Sequence, residues 1–163
     1  MLIAECPVPL PPDRQSALGR ALLAKLLVRH FGIDPLPEIR VRANGKPYFP
    51  HHPGICFNIS HCRAAVMAVV SSKEIGCDIE DIAGAPDGAL LDLAFSVQER
   101  AAICRSVDPA QQLTRIWTRK EACVKCSGTI PDDPARWPSS APGLTTFTPP
   151  GKPYVYSICT SHA

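Results

Sequence analysis

The sequence predicts an α+β fold, and three observations carry the prediction. One long helical pattern opens the chain, a run of short strand-like segments follows it, and a second helical region leads into two more strand-like segments. This order, helix then strands and helices then strands, points to two similar halves within one domain, at about 1–83 and 84–163. Each half is expected to be a small, mostly antiparallel sheet packed on helix. The 163 residues are 45% hydrophobic and 20% charged, which supports a folded core and argues against general disorder.

The first helix is expected over 13–30. Leu18, Leu22 and Leu26 recur at four-residue spacing, Pro12 and Asp13 make a start, and Gly32 and Pro35 a stop. Short strands are expected at 38–43 and 46–49, because Asn44-Gly45 between them is a hairpin signal. Three more follow at 55–61, 64–71 and 75–82. Gly84, Pro86 and Gly88 mark a break. Helices should then begin near Ala89, at Ser96 and over 109–127, the last with Leu113, Ile116, Trp117, Cys123 and Val124 as its apolar surface. The Pro-rich stretch 130–143 reads as irregular, and strands at 144–148 and 154–160 close the chain.

The formal net charge of +2 gives no argument for nucleic acid. No apolar run is long enough to span a bilayer, and MLIAECPVPLPPDR lacks the basic start and long apolar core of a secretion signal. The expectation is a cytoplasmic monomer without membrane or nucleic-acid partners. Its eight cysteines read as reduced thiols, several of them inside apolar runs. Cys123-x-x-Cys126 has a metal or redox spacing but no second pair at finger-like distance. His51, His52, Cys56, His61 and Cys62 imply no ligand geometry for zinc.

Asp78-Ile79-Glu80 is the sharpest local feature. Residues two apart on a strand point to one face, and two carboxylates so placed repel unless a cation, a proton or a basic group stands between them. Magnesium, a hard cation, takes such carboxylates together with phosphate oxygens; a solvated strand end is the plainer reading. In WTRKEACVKCSG (117–128), Trp117, Glu121 and Lys125 share a helix face. Glu121 and Lys125 make either an ordinary ion pair, or a third carboxylate beside a phosphate-neutralising lysine. Lys120 adds charge nearby, and Trp117 reads as a packing anchor. In Phe57-Asn58-Ile59-Ser60-His61 the alternation buries Phe57 and Ile59 and offers Asn58 and Ser60, with His61 at the strand end as a phosphate donor. Lys46 sits in a hairpin. Ser96-x-x-Glu99 reads first as a helix capping box, which leaves Glu99 out of any metal shell.

In order, GKP (45–47), FNISH (57–61), IGCDIE (75–80), FSVQE (95–99) and WTRKEACVKCSG (117–128) resemble the surfactin-synthetase-type 4′-phosphopantetheinyl transferases, in the branch with W-x-x-K-E-A. The resemblance implies a pseudo-dimer of two α+β halves with coenzyme A in the groove between them. It implies transfer of phosphopantetheine from coenzyme A to a serine of an apo acyl or peptidyl carrier protein, with release of adenosine 3′,5′-bisphosphate. By the same resemblance Asp78, Glu80 and Glu121 bind magnesium, His61 and Lys125 contact phosphates, and Lys46 and Ser60 line the coenzyme cleft. Glu121, Lys125 and His61 are the expected catalytic groups. The arm before the first helix is shorter than in that family, and Arg14, Arg20 or Lys46 are the candidates to replace its contacts to the 3′-phosphate. Arg100, Arg105, Arg115 and Arg119, with apolar residues of 82–93, are expected to face an acidic carrier. The alternatives are a non-catalytic module that binds coenzyme A or a carrier, and a zinc or thiol-redox protein.

Overall fold

The computed structural model describes residues 1–82, 84 and 88–161, with Leu90 described by its backbone alone. Strand β1 (Leu2–Glu5) leads into helix α1 (Pro12–Phe31), the small hairpin β2 (Arg40–Val41) and β3 (Pro47–Tyr48), and strands β4 (Cys56–His61), β5 (Ala65–Ser71) and β6 (Ile75–Asp81). Helices α2 (Gly88–Ala94), α3 (Val97–Cys104) and α4 (Pro109–Ser127) follow, then a 3-10 turn at Pro134–Arg136 and strands β7 (Leu144–Phe147) and β8 (Tyr154–Thr160). The fold is α+β, with small antiparallel sheets packed against helices, as the sequence predicts.

Two three-stranded sheets organise the chain, in the orders β1-β5-β4 and β6-β8-β7. Helix α1 lies on the first. Its leucines Leu23, Leu26 and Leu27 are almost wholly buried against Phe57, Val66 and Ala68, each contributing about 1.5–3 kcal/mol by leaving water. The opposite face of β5, with Ala65, Met67 and Val69, meets Ile75, Cys77 and Ile79 of β6 and Tyr154 and Tyr156 of β8. Helix α4 covers the far face of the second sheet. Alternation along β6 therefore turns Cys77 and Ile79 into the core between the sheets and Gly76, Asp78 and Glu80 toward α4.

The structure departs from the sequence expectations in three places. Residues Leu2–Glu5 form a strand that the sequence pattern does not predict, made by antiparallel pairing with Val66, Met67 and their neighbours on β5. The hairpin keeps its Asn44-Gly45 turn, with Gly45 at φ +81°, but its paired strands shrink to two residues each. Strand β6, grouped in the sequence with the strands before it, pairs instead with β8, Asp78 opposite Ser157, so the change of sheet falls between β5 and β6. The break expected at 84–88 lies partly outside the described residues.

Candidate functional site

Gly76 determines how the site is assembled. A Cβ at this position would stand 2.3 Å from both the Ala122 carbonyl oxygen and the Cys126 backbone nitrogen. Only glycine lets the α4 backbone come so close to β6. That contact brings the helix face bearing Glu121 and Lys125 over the strand face bearing Asp78 and Glu80. The Lys125 Nζ donates to Asp78 Oδ1 at 2.6 Å and lies 3.5 Å from Glu121 Oε2.

The outer edge of β6 meets β4 without a backbone ladder. Asn58 Oδ1 accepts from the Cys77 N–H at 3.0 Å, and Ser60 Oγ accepts from the Ile79 N–H at 3.4 Å. The residues expected to be offered for binding are thus buried and join the two sheets, which satisfies edge donors that would otherwise be orphaned. Ser60 also donates to Asp78 Oδ1 at 2.9 Å. One oxygen of Asp78 therefore has two donors, while Oδ2 is buried and has no partner. Burial, and then the Asp78 charge, push Glu80 up to about 7. Burial also raises Glu121, although Lys125 opposes it. Burial alone would pull Lys125 down, but Asp78 and Glu121 together hold it above its usual value.

Among the described residues no three carboxylate, imidazole or thiol groups are gathered into a ready-made metal cage. The donor set nevertheless fits a hard divalent cation. It consists of oxygen ligands, one a buried carboxylate oxygen with no donor, and the carboxyls raise one another's proton affinity. Asp78, Glu80 and Glu121 are the residues that would hold it.

Beside this cluster a cleft of about 500 Å³ opens between α1, the hairpin, β4 and the end of α4. Arg20, Lys46, His61 and Lys125 bring four basic side chains to its walls, with Phe57, Ile59, Val124 and Ile130 as apolar lining. Arg14 is not among its lining residues. Lys46 is buried, and its Nζ donates to the Cys126 carbonyl at 2.6 Å and pairs with Glu74 at 2.5 Å. Asn44 Nδ2 donates to the Gly128 carbonyl at 2.9 Å. The hairpin thus caps α4, whose last carbonyls have no partner within the helix. Gly128, at φ +69°, ends the helix in the left-handed conformation that favours glycine.

Lys120 does not add charge to this site. It is fully buried on another side of α4, pairs with Glu99 Oε2 at 2.8 Å, and donates to the Ala94 and Pro134 carbonyls at 2.9 and 3.0 Å. Glu99 also accepts from the Ser96 N–H while Ser96 Oγ accepts from the Glu99 N–H, so the capping box is present. Trp117 packs on Trp137 and Phe95, with ring centroids 5.8 and 6.2 Å away. Of the arginines expected to face a partner, Arg100 is paired with Asp92, Arg115 donates to Thr148 and is half-buried, and Arg119 is half-buried. No helix among the described residues is long and apolar enough to cross a membrane.

Residues 74–140 match the sequence profile of the 4′-phosphopantetheinyl transferase superfamily. The chain is 41% identical over 126 residues to the 4′-phosphopantetheinyl transferase AcpT of Escherichia coli strain K12, covering 74% of this chain and 61% of that protein. It is 39% identical over 115 residues to AcpT of Salmonella typhimurium strain LT2, covering 68% of this chain and 56% of the relative. To the 4′-phosphopantetheinyl transferase of Bacillus subtilis it is 31% identical over 121 residues, covering 70% of this chain and 52% of the relative. The chain thus spans between about half and three fifths of the length of these relatives.

Proposed function

We propose that this relative of the 4′-phosphopantetheinyl transferases, of the surfactin-synthetase type, moves 4′-phosphopantetheine from coenzyme A to a serine of an apo carrier protein. The observation that carries the reading is the meeting of Asp78 and Glu80 on β6 with Glu121 and Lys125 on α4, beside a cleft with basic walls. Coenzyme A is a strongly anionic, elongated thiol nucleotide, and a cleft that offers Arg20, His61 and Lys125, with Lys46 tying the helix end to its wall, suits its phosphates.

In the proposed reaction the serine oxygen forms a bond to the phosphorus nearer the pantetheine. The bond from that phosphorus to the bridging oxygen breaks, and adenosine 3′,5′-bisphosphate leaves. Lys125 and His61 stabilise charge on the phosphate oxygens and on the leaving group. Burial raises the Glu121 carboxyl, which makes it a stronger base than an ordinary carboxylate, and it takes the serine proton. A magnesium ion bound by Asp78, Glu80 and Glu121 would supply positive charge to the pyrophosphate. Ser60 keeps Asp78 oriented from beneath.

The test is intact-mass spectrometry of several apo carriers incubated with the protein, coenzyme A and magnesium. A carrier should gain one phosphopantetheine with the native chain and none with Asp78→Ala or Glu121→Ala. Coenzyme A that binds while no carrier gains mass would favour the non-catalytic module instead.

A further inference from the structure

Alternation along β6 leaves one carboxylate outside the site. Asp78 and Glu80 turn toward α4, so Ile79 and Asp81 turn the other way, toward the first sheet. Asp81 lines a second cavity, of about 570 Å³, with Arg63, Ala64 and Tyr154, and is not among the residues lining the basic cleft. Each of its oxygens has a donor. Oδ2 accepts from the Arg63 N–H at 2.9 Å and Oδ1 from the Ala64 N–H at 3.1 Å. Arg63 and Ala64 are the two central residues of the turn from β4 to β5, which the Cys62 N–H closes by donating to the Ala65 carbonyl at 2.9 Å. N–H groups at such a reversal have no place in the ladder and need an acceptor, and a carboxylate can serve two at once. The turn follows directly on His61, the last residue of β4, which is exposed and lines the basic cleft. Gln15 of α1 donates from Nε2 to the Cys62 carbonyl at 3.1 Å, and the Cys6 N–H donates to the Ala64 carbonyl at 2.7 Å. These two bonds hold the turn to the first half of the chain, whereas Asp81 holds it to β6. Asn58 and Ser60 join the middle of β4 to that strand, and Asp81 fastens what lies beyond its end.

We propose that Asp81 is a positioning residue for His61: by holding both turn amides it fixes where the imidazole stands relative to Asp78 and Glu80. The inference rests on the transferase reading, in which His61 meets the phosphates of coenzyme A, and adds to it a residue that touches neither phosphate nor metal. The strand that presents the carboxylates also grips the end of the strand that presents the histidine, so the two sets of groups keep one spacing. Without the carboxylate the Arg63 and Ala64 amides turn to water, and the end of β4 is free to shift.

The experiment compares the native full chain with Asp81→Ala, His61→Ala and the variant carrying both changes, with thermal melts to set the folded fraction. The first readout needs no ligand. Imidazole signals are followed by heteronuclear NMR, those of His61 being the set that His61→Ala removes. Asp81→Ala should move the His61 signals and leave those of His30, His51 and His52 in place. The second readout is coenzyme A binding by calorimetry, together with transfer to an apo carrier. Asp81→Ala should lower kcat/KM by about 10–100-fold, as a misplaced contact group does, and by no more than His61→Ala does. In the His61→Ala background the same change should have almost no further effect, because the side chain it acts through is gone. Should Asp81→Ala fail to fold, Asp81→Asn, which keeps one accepting oxygen, carries the same comparisons at smaller amplitude. Unmoved His61 signals overturn the proposal. So does an equal loss of kcat/KM in both backgrounds, which would trace the effect to the adjoining Glu80 or to a loosened fold. A native chain that binds no coenzyme A overturns the transferase reading instead, and the His61 signals then decide by themselves whether Asp81 sets that side chain.

Discussion

Replacing Gly76 by alanine tests whether the approach of α4 to β6 builds the site. The added Cβ would meet two backbone atoms at 2.3 Å, whereas ordinary contact begins near 3.4 Å, so the helix must withdraw by about 1 Å at that point. No side chain can rotate to relieve the clash. Overpacking of this kind costs about 1–3 kcal/mol. In a chain of this size that lowers the Tm by about 2–12 °C. The same withdrawal carries Glu121 and Lys125 away from Asp78, lengthening a contact now at 2.6 Å. A misplacement of about 1 Å is enough to reduce turnover by about 100-fold. Thermal melts and carrier mass gain, measured on the folded fraction, are the assays. Gly54→Ala is the control, since a Cβ there meets nothing within 4 Å. A Gly76→Ala protein that melts and turns over like the Gly54→Ala protein would refute the reasoning.

Glu99→Gln should lower stability by about 3 kcal/mol, because the fully buried Lys120 ammonium loses its anion. Turnover per folded molecule should be retained, since the pair lies away from the cleft. Burial alone would raise the Glu99 carboxyl, but bonds from Lys120, Ser139 and the Ser96 backbone hold it below 4.5. The native protein's advantage over the variant should therefore be complete above pH 4.5 and close as the pH falls through the lower folded value. Melts across pH 3–7 read this out; an unchanged difference across that range would contradict it. Glu80 has the opposite sign. Burial, then Asp78, raise it from 4.5 to about 7, so its ionisation costs folded-state stability progressively between those values. Without divalent metal, Glu80→Gln should match the native Tm near pH 4 and exceed it at pH 8, and magnesium should raise the native Tm more at pH 8 than at pH 6.

Features built on local periodicity were legible in the sequence. The four-residue leucine spacing and Gly32 bound α1, the apolar pattern from Leu113 to Val124 runs along α4, and the observed helices match the expected ranges to within a residue or two. A period of two puts Asp78 and Glu80 on one face, and a period of 3.6 does the same for Glu121 and Lys125. What could not be read is which faces meet. β6 carries the same alternation whichever strand it joins, and its pairing with β8 depends on contacts nearly eighty residues away in sequence. The four residues of β1 are too few for a pattern and owe their conformation to β5. The role of Lys120 was equally hidden, because its partners come from α2, α3 and the turn at 134–136.

Asp78 shows why alternation alone misread β4. A polar residue at every second position of a strand suggests a wet face, yet Asn58 and Ser60 are each less than a tenth exposed. Among the described residues no strand pairs with the second sheet's edge at β6, and its N–H groups need acceptors if they are to be buried. Asn58 and Ser60 provide them, and Ser60 then has its own proton left to donate to Asp78. The hydroxyl that closes the seam thus also fixes one carboxylate oxygen of the site. With Ser60 and Lys125 both on Oδ1, the unsatisfied Oδ2 is the acceptor through which this carboxylate can still take a cation. Sheet joining and site geometry are one set of hydrogen bonds, so a change that loosens the β4–β6 seam must also disturb Asp78.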